Sequence, residues 1–320
     1  MKYRTFGRTG WQVSEIGYGM WGMGGWTGSD DAESLASLQR AVELGCNFFD
    51  TAWVYGNGHS EQILARLLKQ NASRKLYVAT KIPPKNLGYP AKPEYTLEES
   101  YPPAHIEEYV HKSLENLGVE TFDLIQLHTW NDRWLEDDRW LKKLEELRSQ
   151  KLFSAIGISL NRWEPWNGVK AVRSGAIDAV QVVYNIFDQN PQDELFPACV
   201  ENNVAVIARV PFDEGSLTGN LTRDTTFPAD DWRSRYFNPE NLIPTVERVE
   251  KLKEILPAEM SLPEMALRFI LADAAVSTVI PGMRKTRHVE ANLAASGKEK
   301  LSAELMEELK KHRWVRLPKP

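Results

Sequence analysis

Four side chains able to move or steady a proton stand where apolar runs of this 320-residue chain stop: Asp50, Tyr55, Lys81 and His128. Asp50 closes Cys46-Asn47-Phe48-Phe49, Lys81 closes Leu76-Tyr77-Val78-Ala79-Thr80, and His128 closes Leu124-Ile125-Gln126-Leu127, while Tyr55 lies in the loop just past the first run. An acid, a phenol, an amine and an imidazole suit hydride transfer to a carbonyl carbon. Negative charge then grows on the oxygen, and the barrier falls when a proton is supplied there. A free phenol, with a pKa of about 10, is a weak acid near neutrality, and a neighbouring ammonium favours its phenolate. Lys81 is therefore expected to lower the Tyr55 pKa, Asp50 to hold Lys81 charged and in place, and His128 to orient the carbonyl. Taken singly, each has a plainer reading: a helix cap for Asp50, a structural ion pair for Lys81, a satisfied core histidine for His128, a surface residue for Tyr55. Their shared position at successive run ends favours a site.

Something must bring those ends together. Short, nearly continuous apolar runs at residues 13–19, 48–51, 76–82, 123–128, 153–159, 179–185, 204–210 and 276–281 read as strands buried on both faces. Helical patterns lie between them. Asp30 caps one with Glu33 three residues on, Leu35, Leu38 and Val42 share its face, and Gly45 ends it. Ile106, Val110, Leu114 and Leu117, closed by Gly118, make a second, and Leu141, Leu144 and Leu147 a third. Eight alternations over this length predict a (β/α)8 barrel, residues 1–320 forming one domain, in preference to a doubly wound open sheet. Residues 2–12, with Gly7 and Gly10 as turn residues, predict a hairpin plugging the barrel bottom. The long connections 83–104, 129–138 and 211–239 all leave carboxyl ends of strands, the face on which barrel enzymes keep their sites.

Composition narrows the partners. A net charge of −5 argues against a nucleic-acid binder, and no run approaches the roughly 20 apolar residues of a membrane span. Two cysteines in apolar surroundings, Cys46 and Cys199, and an amino terminus without a signal-like stretch predict a reduced cytoplasmic protein. No exposed apolar stripe stands out, so a monomer or weak homo-oligomer is expected. His59, His105, His111 and His128 lack ligand spacing, and no metal is expected. Of eleven tryptophans, Trp21, Trp26, Trp53, Trp130 and Trp134 follow strand ends, which predicts an aromatic-walled pocket.

Gly17-Tyr18-Gly19-Met20-Trp21-Gly22 matches the dinucleotide pattern G-x-G-x-x-G, but helix signals begin only near Asp30, too late for a helix terminus to face a pyrophosphate. A glycine-rich first barrel loop fits better. A more promising phosphate site is Ile280-Pro281-Gly282-Met283-Arg284-Lys285-Thr286-Arg287, where three cations crowd the start of a helix against its macrodipole. A solvated basic turn is the alternative.

The chain resembles the aldo-keto reductase family essentially end to end. Arg4-Thr5-Phe6-Gly7-Arg8-Thr9-Gly10 with Val13-Ser14 is similar to the family's entry hairpin. Phe49-Asp50-Thr51-Ala52-Trp53-Val54-Tyr55-Gly56 with Ser60-Glu61 matches its most specific segment, and Thr80-Lys81 and Leu127-His128 complete its tetrad. The resemblance implies NADPH-dependent reduction of aldehydes or ketones, reversible toward alcohol oxidation, with Tyr55 as acid, and NADH as a possible substitute. It places the adenosine phosphate on Gly282, Met283, Arg284, His288 and Asn292, with Arg284 at the 2′-phosphate. The nicotinamide amide falls to Ser159, Asn161 and Gln181. Pro211, Phe212, Gly215 and Leu217 form a loop over the pyrophosphate, and Gly19, Met20, Trp21 and Asp50 complete the cofactor set. Arg209 replaces an aromatic residue that often stacks on the nicotinamide; His288 and Ala291 also depart from the usual pattern. The substrate, a small carbonyl or alcohol compound, is assigned Trp21, Trp53, Tyr55, His128 and Trp130. Two other readings stay open: a sugar dehydrogenase running toward oxidation with NAD, and a cofactor-binding, redox-sensing accessory subunit.

Overall fold

The computed structural model describes residues 1–25 and 29–316; Trp26 lies outside the described residues. Two strands, β1 (Tyr3–Phe6) and β2 (Trp11–Ser14), pair antiparallel as a hairpin. Eight more follow: β3 (Tyr18–Gly19), β4 (Phe48–Asp50), β5 (Tyr77–Ile82), β6 (Phe122–Leu127), β7 (Phe153–Ser159), β8 (Ala179–Val183), β9 (Ala205–Arg209) and β10 (Val276–Val279). They form one sheet in chain order, every neighbouring pair parallel. Single bridges from Ile16 to Val279 and from Gly19 to Gly282 join its first and last strands, giving the nearly closed (β/α)8 barrel.

The expected first run, 13–19, is in fact divided. Val13 and Ser14 belong to the hairpin, and only Tyr18–Gly19 is barrel strand. The backbone between them turns its hydrogen bonds onto β10: Val279 N–H donates to Glu15 O at 3.0 Å and Gly17 N–H to Val279 O at 2.9 Å. The seam is tight. A Cβ on Gly19 would stand 2.6 Å from Ile280 O, a backbone atom that cannot step aside. Gly19→Ala is expected to cost about 1–3 kcal/mol by overpacking, read as a fall in Tm; an unchanged Tm would mean the seam is slack.

The hairpin plugs the bottom as expected. Phe6 and Val13 are fully buried among Phe48, Ala79, Leu124, Ala155, Ala179, Ala205 and Ile207, small and branched residues pointing into the barrel. The outward faces of the strands pack under the helices in a second, larger core. Its helices follow the periodicity: Asp30 caps Asp31–Glu43 by accepting from Glu33 N–H at 2.7 Å, and Gly118, in the left-handed region, ends Pro103–Leu117. Both cysteines are buried and free. Among the described residues no helix is long and apolar enough to cross a membrane.

Candidate active site

The barrel brings all four proton-transfer groups to one mouth. Asp50 ends β4, Lys81 is the penultimate residue of β5 and His128 follows β6, so three adjacent parallel strands carry them to the same end of the barrel, with Asp50 paired to Ala79 and Lys81 to Gln126. Tyr55 comes from the loop after β4. That loop is tied by Trp53 N–H to Lys81 O, Gly58 N–H to Trp53 O and Ser60 N–H to Tyr55 O, and by the Thr51 and Ser60 hydroxyls 2.8 Å apart. Glu61, fully buried, accepts from Thr80 Oγ1 and Asn116 Nδ2 and anchors the following helix, His59–Gln70. The first loop crosses directly over the phenol's backbone: a Cβ on Gly24 would meet Gly56 N and Tyr55 C at 2.8 Å. Close approach, not phosphate binding, is what the described glycine-rich segment supplies here.

At the centre, Lys81 Nζ donates to Asp50 Oδ2 at 2.6 Å and Thr51 O at 2.7 Å, and lies 3.5 Å from Tyr55 Oη. Its side chain is wholly buried and that of Asp50 nearly so. A buried charge persists only when paired and hydrogen-bonded. Asp50 accordingly uses its other oxygen to accept from Gln181 Nε2 at 2.7 Å and Gln126 Nε2 at 3.2 Å. Gln126 was missed in the sequence because a lone glutamine inside an apolar run carries no chemical signal. Neither Asp50 nor Lys81 is a helix cap or a surface pair; the ion pair forms the floor of the mouth.

One electrostatic expectation is reversed. Burial raises the Tyr55 pKa well above a free phenol's, and Asp50's carboxylate adds to the rise, outweighing the lowering by Arg209. Desolvation and the nearby carboxylate thus outweigh the cations around the phenol, so the net shift is upward. Tyr55 therefore stands as a firm O–H. Burial also lowers the Lys81 pKa, against the pull of Asp50. His128 is held well below the ordinary histidine value by burial first and then by Lys81 and Arg209, which makes it a neutral imidazole.

The substrate-wall assignment changes too. Trp130 is fully buried, edge-on to Trp134 and Trp140, with Nε1 donating to Asp132 at 2.8 Å. Trp134 is buried with it and donates to Tyr95 O. These rings form a core beneath the loops, because their N–H groups find internal acceptors. Trp53 packs edge-on against Tyr109, 4.8 Å between centroids, with Lys112 over its ring, and so faces the helix Pro103–Leu117. Trp21 keeps 39 % exposure, and Leu87 and Tyr89 of the loop after β5 are more open still.

Several residues implied for the cofactor have internal partners in the structure. Asn161 spends its whole amide on one residue and its surroundings: Oδ1 accepts from Ala91 N–H and Thr129 Oγ1, and Nδ2 donates to Ala91 O and Glu164. Gln181 turns its N–H groups to Asp50 and Gln126. Met20, Leu217 and Met283 are fully buried core side chains, and Met283 O accepts from Tyr18 Oη at 2.6 Å. Ser159 and Asn292 are nearly buried, and Trp21, Pro211, Phe212 and Gly215 lie in the loops after β3 and β9. Gly282 bridges to Gly19, and His288 stands in the helix Thr286–Leu293 beside Arg287.

What remains fits an anionic ligand. Arg284 Nη1, Arg209 Nε and Arg162 Nη1 are buried donors without a hydrogen-bond partner among the described residues. Such orphaned cationic donors are costly unless an anion completes them, and phosphate oxygens suit guanidinium forks. The loop after β9 is tied to Arg162 by the Arg162–Glu214 ion pair, and to Arg316, which reaches Asp213 at 2.9 Å and also pairs with Asp188. Nothing local in the sequence marks Arg316, since both its partners lie more than a hundred residues away. A separate groove of about 420 Å³, lined by Tyr3, Gln12, Cys46, Asn47, Arg74 and Lys75 among others, opens at the opposite, hairpin end of the barrel and holds no member of the set.

A (β/α)8 barrel with a complete acid, phenol, amine and imidazole cluster at its carboxyl-terminal mouth is the class of protein described so far. Residues 15–313 match the Aldo/keto reductase family, and the chain belongs to that family of oxidoreductases. It is 30 % identical over 309 residues to the aldo-keto reductase yakc [NADP(+)] of Schizosaccharomyces pombe, covering 93 % of this chain and 88 % of that one. It is 27 % identical over 307 residues to the NADH-specific methylglyoxal reductase of Escherichia coli, covering 92 % and 93 %. Among solved structures, the glycerol dehydrogenase AKR11B4 from Gluconobacter oxydans superposes with a TM-score of 0.80 at 27 % identity, over 100 % of this chain and 98 % of that one.

Proposed function

We propose that this chain reduces aldehydes or ketones to alcohols with NADPH, Tyr55 giving the proton. One observation carries the reading: the Tyr55 hydroxyl lies 3.5 Å from the Lys81 amine, which is itself fixed at 2.6 Å by the buried Asp50 carboxylate. The cofactor, when bound, supplies the hydride to the carbonyl carbon. Tyr55 then offers its O–H to the oxygen as charge develops, and an alkoxide is basic enough to take a proton even from a phenol whose pKa burial has raised. Lys81, held by Asp50 and Thr51 O, steadies the phenolate left behind. Neutral His128 donates a hydrogen bond that orients the carbonyl. Asp50, Gln126 and Gln181 keep the ammonium in line. Mixing the purified protein with NADPH and a panel of aldehydes and ketones, and following the nicotinamide absorbance, tests this; no loss of absorbance with any member would contradict it.

Arg284, whose Nη1 has no partner among the described residues, is the residue proposed to hold the 2′-phosphate. Arg284→Ala is expected to weaken NADPH binding about 10–100-fold, the worth of one or two charge-assisted hydrogen bonds, and NADH binding little. Fluorescence titration with both cofactors measures the difference; equal losses would place the 2′-phosphate elsewhere. A second reading, oxidation of a polyol or sugar, is favoured by the likeness to a glycerol dehydrogenase. It predicts faster turnover of such alcohols with NAD(P)+ than of any carbonyl with NAD(P)H.

A further inference from the structure

The loop after β5 is pinned over the mouth at successive residues. Ala91 is held through both its N–H and its C=O by Asn161, Lys92 O and Pro93 O accept from Asn131, Pro93 O also accepts from Arg133, and Tyr95 O accepts from Trp134 Nε1. Thr129 Oγ1 accepts from Ala91 N–H as well. Side chains from the connections after β6 and β7 thus fix a stretch that has no regular structure of its own. Just before it stands Tyr89. Its ring meets the His128 imidazole edge-on, with centroids 5.2 Å apart at 80°, and its hydroxyl lies 3.4 Å from His128 Nδ1. Tyr55 meets the same imidazole at 5.7 Å and 74°.

A neutral imidazole carries one proton, and the partner of one ring nitrogen decides which nitrogen holds it. Only one arrangement lets His128 serve a carbonyl oxygen while Nδ1 faces a phenol: Nδ1 accepts and Nε2 is protonated. We propose that Tyr89 is a positioning residue whose O–H donates to His128 Nδ1 and fixes the Nε2–H tautomer offered to the substrate oxygen. This rests on the reading of His128 as the group that orients the carbonyl. A phenol's ordinary pKa of about 10 already keeps Tyr89 protonated near neutrality, so that it remains a donor. The arrangement also gives Asn161 its work: by holding Ala91 it sets where Tyr89 falls.

The test reads the tautomer directly. In protein labelled with ¹⁵N-histidine, long-range ¹H–¹⁵N correlation distinguishes Nδ1–H from Nε2–H, and the His128 signals are assigned by their loss in His128→Asn. Wild type is expected to show the Nε2–H form, and Tyr89→Phe, which keeps the ring, a mixture or the Nδ1–H form. The same variant is expected to lower kcat about tenfold, the scale of one neutral hydrogen bond, with cofactor affinity unchanged. A wild-type Nδ1–H tautomer, or a Tyr89→Phe protein that keeps Nε2–H throughout, would overturn the proposal. Because the spectrum is recorded without any carbonyl, a protein inactive on the whole panel would sink the functional reading alone. An active protein whose tautomer ignores Tyr89 would sink this one alone.

Discussion

Tyr55→Phe is expected to cut carbonyl reduction about 10²–10⁴-fold, the range of a positioned general acid. The substitution removes one hydroxyl and little else. The ring still meets His128 at 5.7 Å and lies under Lys81 Nζ, 5.1 Å from its centroid. The hydroxyl's recorded bond to Lys81 is long, at 3.5 Å, so the loss of stability should stay within about 1 kcal/mol. Cofactor affinity should be nearly unchanged. The informative pattern is therefore a collapse of kcat with Tm and cofactor Kd preserved, measured by steady-state kinetics, thermal melting and fluorescence titration. Turnover at the wild-type rate would remove Tyr55 from the chemistry.

Asp50→Ala is expected to have the largest effect on stability. It strands an ammonium with no solvent exposure beside Thr51 O and Tyr55, and deprives Gln126 and Gln181 of their shared acceptor. Removing one partner of a buried ion pair costs about 3–5 kcal/mol. Replacing both, as in Asp50→Leu with Lys81→Met, leaves no orphaned charge and should recover much of that loss while leaving the protein inactive. Denaturant unfolding of Asp50→Leu, Lys81→Met and the double variant forms the cycle. If Asp50→Ala alone costs under about 1 kcal/mol, the pair does not organise the mouth as described.

The sequence made the architecture legible because strand burial and helix amphipathy are local signals. Seven of the eight runs became barrel strands within a few residues; the run at 13–19 misled because its hydrogen bonds go to β10, far along the chain. The tetrad was legible for the same reason, since each member but Tyr55 sits at or next to a strand end. What escaped depended on tertiary partners. Trp130 reads like a pocket wall until Asp132 and two other indoles claim it, and the tie from Asn161 to Ala91 joins residues 70 apart in the chain. Tyr89 and Arg316 sit in segments without periodicity. The net shift of the Tyr55 pKa escaped because a neighbouring cation is simple to read from residue types, whereas burial and the direct effect of the Asp50 carboxylate are not.

The central claim is that hydride and proton reach the same carbonyl, the proton from Tyr55. Incubating the protein with NADPH deuterated at the transferred position of the nicotinamide, together with an aldehyde from the panel, and analysing the alcohol by mass spectrometry tests it most directly. Wild type should place one deuterium on the carbinol carbon and Tyr55→Phe should yield almost no labelled alcohol; an unlabelled product from wild type, or equal labelled yield from both proteins, would contradict the account.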